Sequence, residues 1–309
     1  MFASRDFDKR RRIGVNGDSI SFRLRDVAVK PGASVSLKKD YDPGFTGGFN
    51  DKSDAIERLA RNRHRTAELQ ETLYADDRYS LLVIFQGMDA AGKDGVIRHV
   101  MSGVNPQGCR VTSFKAPSEE DLDHTYLWRV QKALPPRGTI GIFNRSHYEE
   151  VLIVRVHKEI LAAQKLPPEA RDKNVWRDRY DDINNFEHHL TRNGTIVMKF
   201  FLNISYDEQR RRFIERIDEP DKHWKFNIRD VKERAYWKQY QKAYEEMLEA
   251  TSTKWAPWWV VPADNKWFAR LMVSELIAMQ LGQLDIAPPE VSAERLAEMQ
   301  QMREQLLKD

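Results

Sequence analysis

The sequence predicts an α/β fold, a parallel sheet covered by helices on both faces. Three observations carry this. Five short strand-like runs, at 80–86, 110–116, 139–143, 195–203 and 258–262, are spread along the chain. At least one helical stretch separates each run from the next, as parallel crossovers require. The first run, Leu81-Leu82-Val83-Ile84-Phe85, also passes directly into Gly87-Met88-Asp89-Ala90-Ala91-Gly92-Lys93-Asp94, whose glycine and lysine spacing is that of a phosphate-binding P-loop.

Residues 1–50 carry charges, glycines and the turn-rich Asp42-Pro43-Gly44-Phe45-Thr46-Gly47-Gly48 with little periodicity, and read as an N-terminal arm. Residues 51–285 are the expected core. It opens with a helix from Asp54 to Tyr74 marked by Ile56, Leu59, Leu69 and Leu73. After the first strand and its loop, Lys93 to Met101 continues with Val96, Ile97 and Val100 at helical spacing. Pro135-Pro136-Arg137-Gly138 stops a helix that begins near Glu119, with Ser118 as its N-cap, and sets up the third strand. Tyr206 to Ile217 and Arg229 to Leu248 are two further helices. The polar, proline-punctuated span from Asp218 to Lys225 between them has the composition of a lid, which places a lid at about 206–230. Pro288-Pro289 isolates the terminal segment 286–309, where Leu296, Met299, Met302 and Leu306 mark an amphipathic helix from Ser292 to Leu307.

Composition removes several classes. An apolar content of 41% over 309 residues is ample for a buried core. The longest apolar runs are about five residues, against the ~20 that span a bilayer, and Met1 to Arg12 is too charged for a secretory signal. No membrane partner is expected, and the cytoplasm is the expected location. Fifty Lys+Arg against 47 Asp+Glu leave +3, so no nucleic-acid partner is expected either. Lys9-Arg10-Arg11-Arg12 and the series Arg61, Arg63, Arg65 read as solvated faces. Cys109 is the only cysteine, which excludes an internal disulfide and a thiolate metal cluster.

The chemistry gathers at strand ends. A P-loop surrounds phosphate oxygens with backbone N–H groups, here those of Gly87, Ala90, Ala91, Gly92, Lys93 and Asp94, and with one lysine, Lys93. Asp94 stands where a Ser or Thr hydroxyl commonly reaches Mg²⁺, and Asp89 lies inside the loop. Two anions in a phosphate loop imply a divalent cation between them and the ligand, Mg²⁺ or alternatively Mn²⁺. Lys115 follows the second strand at the same rim. The third strand ends in Phe143-Asn144-Arg145-Ser146-His147-Tyr148-Glu149, with Asn144 where many such enzymes carry an aspartate. Metal binding then falls to Asp89 and Glu149, and Arg145 and Arg155 are suited to grip phosphate. Lys115, Arg145 and Arg155 are the expected lining of a channel for a polymeric anion. Arg212 and Arg216, spaced i, i+4, share a helix face in the lid.

These residues resemble the polyphosphate kinase 2 family. The resemblance rests on the loop 87–94, Val104-Asn105-Pro106-Gln107-Gly108, Phe114-Lys115-Ala116-Pro117-Ser118, Leu127-Trp128-Arg129 and the segment 143–149. It continues in Lys222-His223-Trp224-Lys225-Phe226, Pro257-Trp258 and Ala263-Asp264-Asn265-Lys266, across about residues 40 to 285. It implies a P-loop kinase with a five-stranded parallel sheet, a mobile helical lid and homo-oligomeric assembly as a dimer or tetramer. It also implies metal-dependent, reversible phosphoryl transfer from inorganic polyphosphate to adenine nucleotides, AMP and ADP. Asp89 and Lys93 match its essential loop residues, Asn144 and Arg145 its strand-end pair, and Arg212 and Arg216 its lid arginines. An ATP-dependent nucleotide kinase and a non-catalytic phosphate-binding protein are the rival readings.

Overall fold

The computed structural model describes residues 27–49 and 52–308. The basic run Lys9-Arg10-Arg11-Arg12 lies outside them. Five parallel strands, β1 (Ser80–Gln86), β2 (Cys109–Ser113), β3 (Ile140–Asn144), β4 (Thr195–Asn203) and β5 (Trp258–Pro262), form one sheet in the order β2-β3-β1-β4-β5. Leu81 of β1 stands opposite Ile140 on one side and Ile196 on the other. All of β1 is buried, which is why its sequence is a continuous apolar run and not an alternation. Each of its Leu, Val, Ile and Phe side chains contributes about 1.5–3 kcal/mol by leaving water. The chain fills the β2 and β3 side first and the β4 and β5 side later. The carboxyl end of β1 therefore lies at the switch point where connections part, which is where open α/β sheets bind ligands.

Helices α1 (Leu37–Asp40) and α2 (Ser53–Asp76) precede the sheet, and α3 (Lys93–Val100) follows β1. After β2 come α4 (Glu119–Leu122) and α5 (Trp128–Lys132). Helices α6 (Ile153–Val156), α7 (Lys158–Ala163) and α8 (Val175–Arg192) lie between β3 and β4. Helices α9 (Tyr206–Asp218), α10 (Ile228–Glu233) and α11 (Trp237–Thr251) lie between β4 and β5, and α12 (Lys266–Leu281) and α13 (Ala293–Leu306) follow. Helix α12 packs against both α2 and α3.

Several boundaries differ from the sequence reading for physical reasons. Strand β2 stops at Ser113, because it is a half-exposed edge strand and Pro117 lies ahead. The helix expected from Glu119 is two short ones. Ser118 and Asp121 close a capping box on α4, and His124 then stacks on Trp128 across the break. The helix expected over 229–248 is interrupted by a 3-10 turn at Arg234–Tyr236. Residues 27–49 are more than a loose arm. Val27, Val29, Val35, Leu37 and Phe49 are buried, and Val29 N–H donates to Trp258 O (2.9 Å) while Val260 N–H donates to Val27 O (2.7 Å), so this segment covers the β5 edge. Helix α13 buries no residue, and Leu296, Met299, Met302 and Leu306 are all exposed.

A fully buried polar group sits under the sheet. Lys199 Nζ of β4 donates to Glu187 Oε2 (2.7 Å), Tyr148 Oη (2.9 Å) and Thr251 O (2.7 Å), and Tyr148 Oη–H donates to Glu187 Oε1 (2.7 Å). Tyr148 belongs to the 3-10 turn His147–Val151 directly after β3. The network thus pins the turn that follows Arg145 to three other elements, β4, α8 and α11. His147 is buried beside it, with Nε2 3.5 Å from Glu187 Oε1.

Candidate active site

The loop after β1 is drawn tight by its glycines. Gly87 has φ +151°, and a Cβ there would stand 2.8 Å from Leu202 O of β4, so no side chain fits. Ala90 also lies in left-handed space, at φ 62°. Arg212 holds the loop in this shape: Nη1 donates to Ala90 O (2.9 Å) and Ala91 O (3.0 Å), and Nη2 donates to Ala263 O (2.5 Å) and Asp264 O (3.0 Å). Glu208 accepts from its Nε at 2.7 Å, and the side chain is 4% exposed. Arg212 was expected, with Arg216, as a lid arginine near the nucleotide. It is a buried clamp on the loop's carbonyls, which leaves the first N–H groups of α3, without partners inside the helix, as the donors for an anion.

Lys93, the first residue of α3, lies 9% exposed with Nζ 2.6 Å from Gly87 O and 3.2 Å from Met88 O. Burial, with the Arg145 guanidinium nearby, pushes its pKa below the ordinary lysine value, while Asp89, Glu149 and Asp94 pull the other way. Asp94 is not loose. Asn144 Nδ2 donates to its Oδ1 at 2.5 Å, so the two departures from the common loop pattern are bonded to each other.

Arg145 has φ 62° and its N–H donates to Phe85 O (3.0 Å), which turns the side chain from the end of β3 over the loop. Its Nη2 donates to Asp89 Oδ1 at 2.6 Å, and Nη1 lies 3.9 Å from Glu149 Oε2. Glu149, then Asp89, raise its pKa against the effect of burial. Glu149 is itself raised by burial, with Arg145 and Lys93 opposing. With its amide nitrogen toward that carboxylate, Gln86 donates to Glu149 Oε1 (3.0 Å) and accepts from Ser146 Oγ (3.1 Å). Gln209 Nε2 donates to Asp89 O at 2.9 Å.

The structure therefore brings Gly87, Asp89, Ala90, Ala91, Gly92, Lys93, Asp94, Asn144, Arg145 and Glu149 into one place. Lys115 and Arg155 belong elsewhere. Lys115 is exposed beyond edge strand β2, where its carbonyl accepts from Arg129 Nη1 (2.8 Å). Arg155 pairs with Glu246, donates to Tyr180 Oη (3.0 Å) and lies over Trp176, so its charge is already neutralised. Arg216 turns toward Asp230 of α10, 3.5 Å away, and toward Lys225 O, 3.3 Å away.

Sequence reasoning missed Gln86, Tyr244 and Asp230. Gln86 had a signal, a polar residue ending an apolar strand against the loop. Tyr244, buried on α11, faces Glu149, Arg145 and Asp89, and burial followed by Glu149 drives its pKa upward. Asp230 is raised by burial and by Asp89, so α10 presents a carboxylate toward the loop.

Helix α10, which carries Asp230, is fixed by His157. Its Nε2 lies 2.9 Å from Glu233 Oε2 and its Nδ1 3.1 Å from Glu159 Oε1, while Tyr240 Oη–H donates to the same Glu233 oxygen at 2.9 Å. The Tyr236 ring closes the fourth side. Burial disfavours the imidazolium, but the hydrogen bonds and charges of Glu233 and Glu159 outweigh it and raise the pKa above its ordinary 6.5. The stability this contributes is complete below about 6.5 and is lost as pH rises through the raised folded-state value. The melting temperature of the wild type should fall over that rise more steeply than that of His157→Gln. Parallel pH courses would remove His157 as the anchor.

Among the described residues no three His, Cys, Asp or Glu side chains gather as a metal cage. The site instead suits the usual way of holding Mg²⁺, through one or two carboxylates, waters and substrate phosphates. Asp89 fits that role, since Arg145 occupies Oδ1 and Oδ2 carries no hydrogen bond among the described residues. No helix of the described residues is long and apolar enough to cross a membrane.

The chain is similar to known proteins in sequence and in fold. A family model described as polyphosphate kinase 2 matches residues 49–288. The chain is 53% identical over 291 residues to a Rhodopseudomonas palustris protein named ADP-polyphosphate phosphotransferase, covering 94% of this chain and 100% of that one. It is 44% identical over 276 residues to a Meiothermus ruber protein named AMP/ADP-polyphosphate phosphotransferase, with 88% and 99% covered. The crystal structure of polyphosphate kinase 2 from Arthrobacter aurescens superposes with a TM-score of 0.81 at 43% identity, covering 89% of this chain and 95% of that one.

Proposed function

The chain belongs to the polyphosphate kinase 2 family, and from that premise we propose that it transfers the terminal phosphoryl group of inorganic polyphosphate to AMP and ADP, giving ADP and ATP. The observation that carries the reading is the buried Lys93 beside the Arg145–Asp89 pair at the switch point of the sheet. Names of relatives support both acceptors, one being an ADP-polyphosphate and another an AMP/ADP-polyphosphate phosphotransferase.

Donor and acceptor are both anions, so the protein's task is neutralisation and in-line positioning. In this reading the α3 amides and Lys93 Nζ take the donor's phosphate oxygens, Lys93 exchanging the Gly87 and Met88 carbonyls for them. Arg145, held between Asp89 and Glu149, offers its planar fork to the transferring group. Asp89, with Oδ2 left open by Arg145, would hold a bound Mg²⁺ or Mn²⁺, which would supply further charge neutralisation. Glu149, tied to Arg145 and Gln86, orients the arginine and stands behind Asp89 as the second metal-side carboxylate. Asp89 positions metal and acceptor and need not act as a base, because a terminal phosphate with a second pKa near ~6 is already largely ionised at neutral pH. One phosphoanhydride breaks as another forms, so the reaction runs both ways. The reading includes a homo-oligomer, which the exposed apolar side chains of α13 support.

The test is product analysis with AMP as sole acceptor, Mg²⁺ and long-chain polyphosphate, without ATP. ADP should appear first and ATP after it. Phosphorylation of AMP only when ATP is supplied would make this an ordinary nucleotide kinase, and accumulation of ADP alone would confine it to AMP.

A further inference from the structure

The phosphate loop is held from outside by two side chains on one face of α9, Gln209 and Arg212, spaced i, i+3. Arg212 takes the carbonyls of Ala90 and Ala91, and Gln209 Nε2 takes that of Asp89 at 2.9 Å. A peptide unit is planar and trans, so a carbonyl turned outward sends the N–H of its own unit the other way. Fixing Asp89 O therefore aims the Ala90 N–H away from α9, inward across the loop. Among the described residues that N–H makes no hydrogen bond, so it is free to donate to an anion.

Gln209 is itself held. Its Oε1 accepts from Arg234 Nη1 at 2.6 Å, so both ends of a side chain only 1% exposed are engaged. A guanidinium can only donate and a carbonyl only accept, which fixes the amide in this orientation. Arg234 opens the 3-10 turn after α10; its Nη1 also donates to Tyr206 O (3.1 Å), and the guanidinium lies over the Tyr206 ring, 3.9 Å from the centroid. Among the described residues no carboxylate pairs with it, so its charge goes to a neutral amide. A charged donor on Oε1 polarises that amide and strengthens the bond its N–H gives to Asp89 O. The residue before Arg234 is Glu233, anchored by His157 and Tyr240. Three hydrogen bonds and one peptide step thus join His157 to the loop.

We propose that Gln209 is a positioning residue for the phosphate loop, and that Arg234 makes its hold depend on where α10 lies. This rests on the functional reading above, in which the loop encloses donor phosphate. With α10 in place, the Asp89 peptide is set and the Asp89 side chain meets Arg145. When α10 moves off, Arg234 leaves Oε1 and the Asp89 peptide slackens. The segment that carries Asp230 toward the loop is then also the segment that sets the loop's shape.

The test compares full-length wild type with Gln209→Met, Gln209→Glu, Arg234→Met and the double variant Gln209→Met/Arg234→Met, by kinetics with AMP and polyphosphate and by hydrogen exchange of the loop amides without substrate. Methionine fills the same space without hydrogen bonds, so Gln209→Met should lower kcat about tenfold and leave the KM for AMP within about twofold. Glutamate keeps the bond from Arg234, but as a carboxylate it has nothing to donate to Asp89 O. Gln209→Glu should therefore be at least as slow. Arg234→Met should lower kcat about threefold, and because Arg234 acts through Gln209 the double variant should match Gln209→Met within about twofold. The loop amides, among them the Ala91 N–H that donates to Met88 O (3.1 Å), should exchange about tenfold faster in Gln209→Met and about threefold faster in Arg234→Met. Recovery of kcat in Gln209→Glu overturns the action on the loop. A double variant about thirtyfold slower than wild type, the product of the single effects, overturns the relay. Unchanged loop exchange in the folded variants overturns both. Arg234 is only half-buried, so Arg234→Met alone decides the matter if the Gln209 variants do not fold: kcat and loop exchange both at wild-type values overturn the proposal. A wild type that makes no ADP from polyphosphate and AMP would instead overturn the functional reading, and the exchange comparison would still judge the positioning.

Discussion

Lys93→Ala should lower kcat by about 10³-fold while leaving the fold intact. The ammonium is held 9% exposed at the mouth of the loop by two carbonyls of that loop, Gly87 O and Met88 O, so it is poised and not merely present. In a site shielded from water its charge acts on phosphate oxygens with little screening, and a transition state that spreads charge over those oxygens feels the loss most. The loop itself should survive, because Arg212 holds Ala90 and Ala91 from the opposite side and Gly87 is packed against Leu202. Steady-state kinetics with AMP and polyphosphate, paired with a melting curve, check both halves. A folded variant with kcat within threefold of wild type would remove Lys93 from the chemistry.

The second large effect is on stability. Lys199→Met should cost about 3–5 kcal/mol, because it strands Glu187 as a buried charge without its partner. Lys199 and Glu187 are both fully buried, and the lysine draws the Glu187 pKa down despite burial. Removing both charges, as in Lys199→Met with Glu187→Met, should recover most of the loss, since the penalty lies in the unpaired ion more than in the missing bond. Urea unfolding of the two single variants and the double variant measures this coupling. Strictly additive losses would show that the pair is not coupled. Because Tyr148 joins this pair to the turn after Arg145, the double variant should also lose activity in kcat before KM.

Much of the sheet was legible because its strands are buried on both faces. The runs in β1, β4 and β5 match the sequence reading end to end, whereas the edge strand β2 is shorter than its apolar appearance suggests. The loop was legible too, since its spacing is local. What the chain could not reveal is which distant groups meet. Arg212 and Arg216 do follow one another around a helix, but spacing says nothing about what that face packs on: Arg212 is buried on the loop's carbonyls and Arg216 turns to Asp230. Arg155 looked like a free cation because Glu246, which neutralises it, arrives from another helix. Asp94 and Asn144 read as two separate defects of a motif, and only the fold shows that they bond to each other.

In the proposed mechanism the α3 amides and Lys93 enclose donor phosphate beside the Asp89–Arg145 pair. A crystal structure with a non-transferable polyphosphate analogue, Mg²⁺ and AMP tests it most directly. Phosphate oxygens should lie within hydrogen-bonding distance of Lys93 Nζ, which should have left Gly87 O and Met88 O, with the cation on Asp89. An analogue bound elsewhere, with Lys93 still on those two carbonyls, would contradict it.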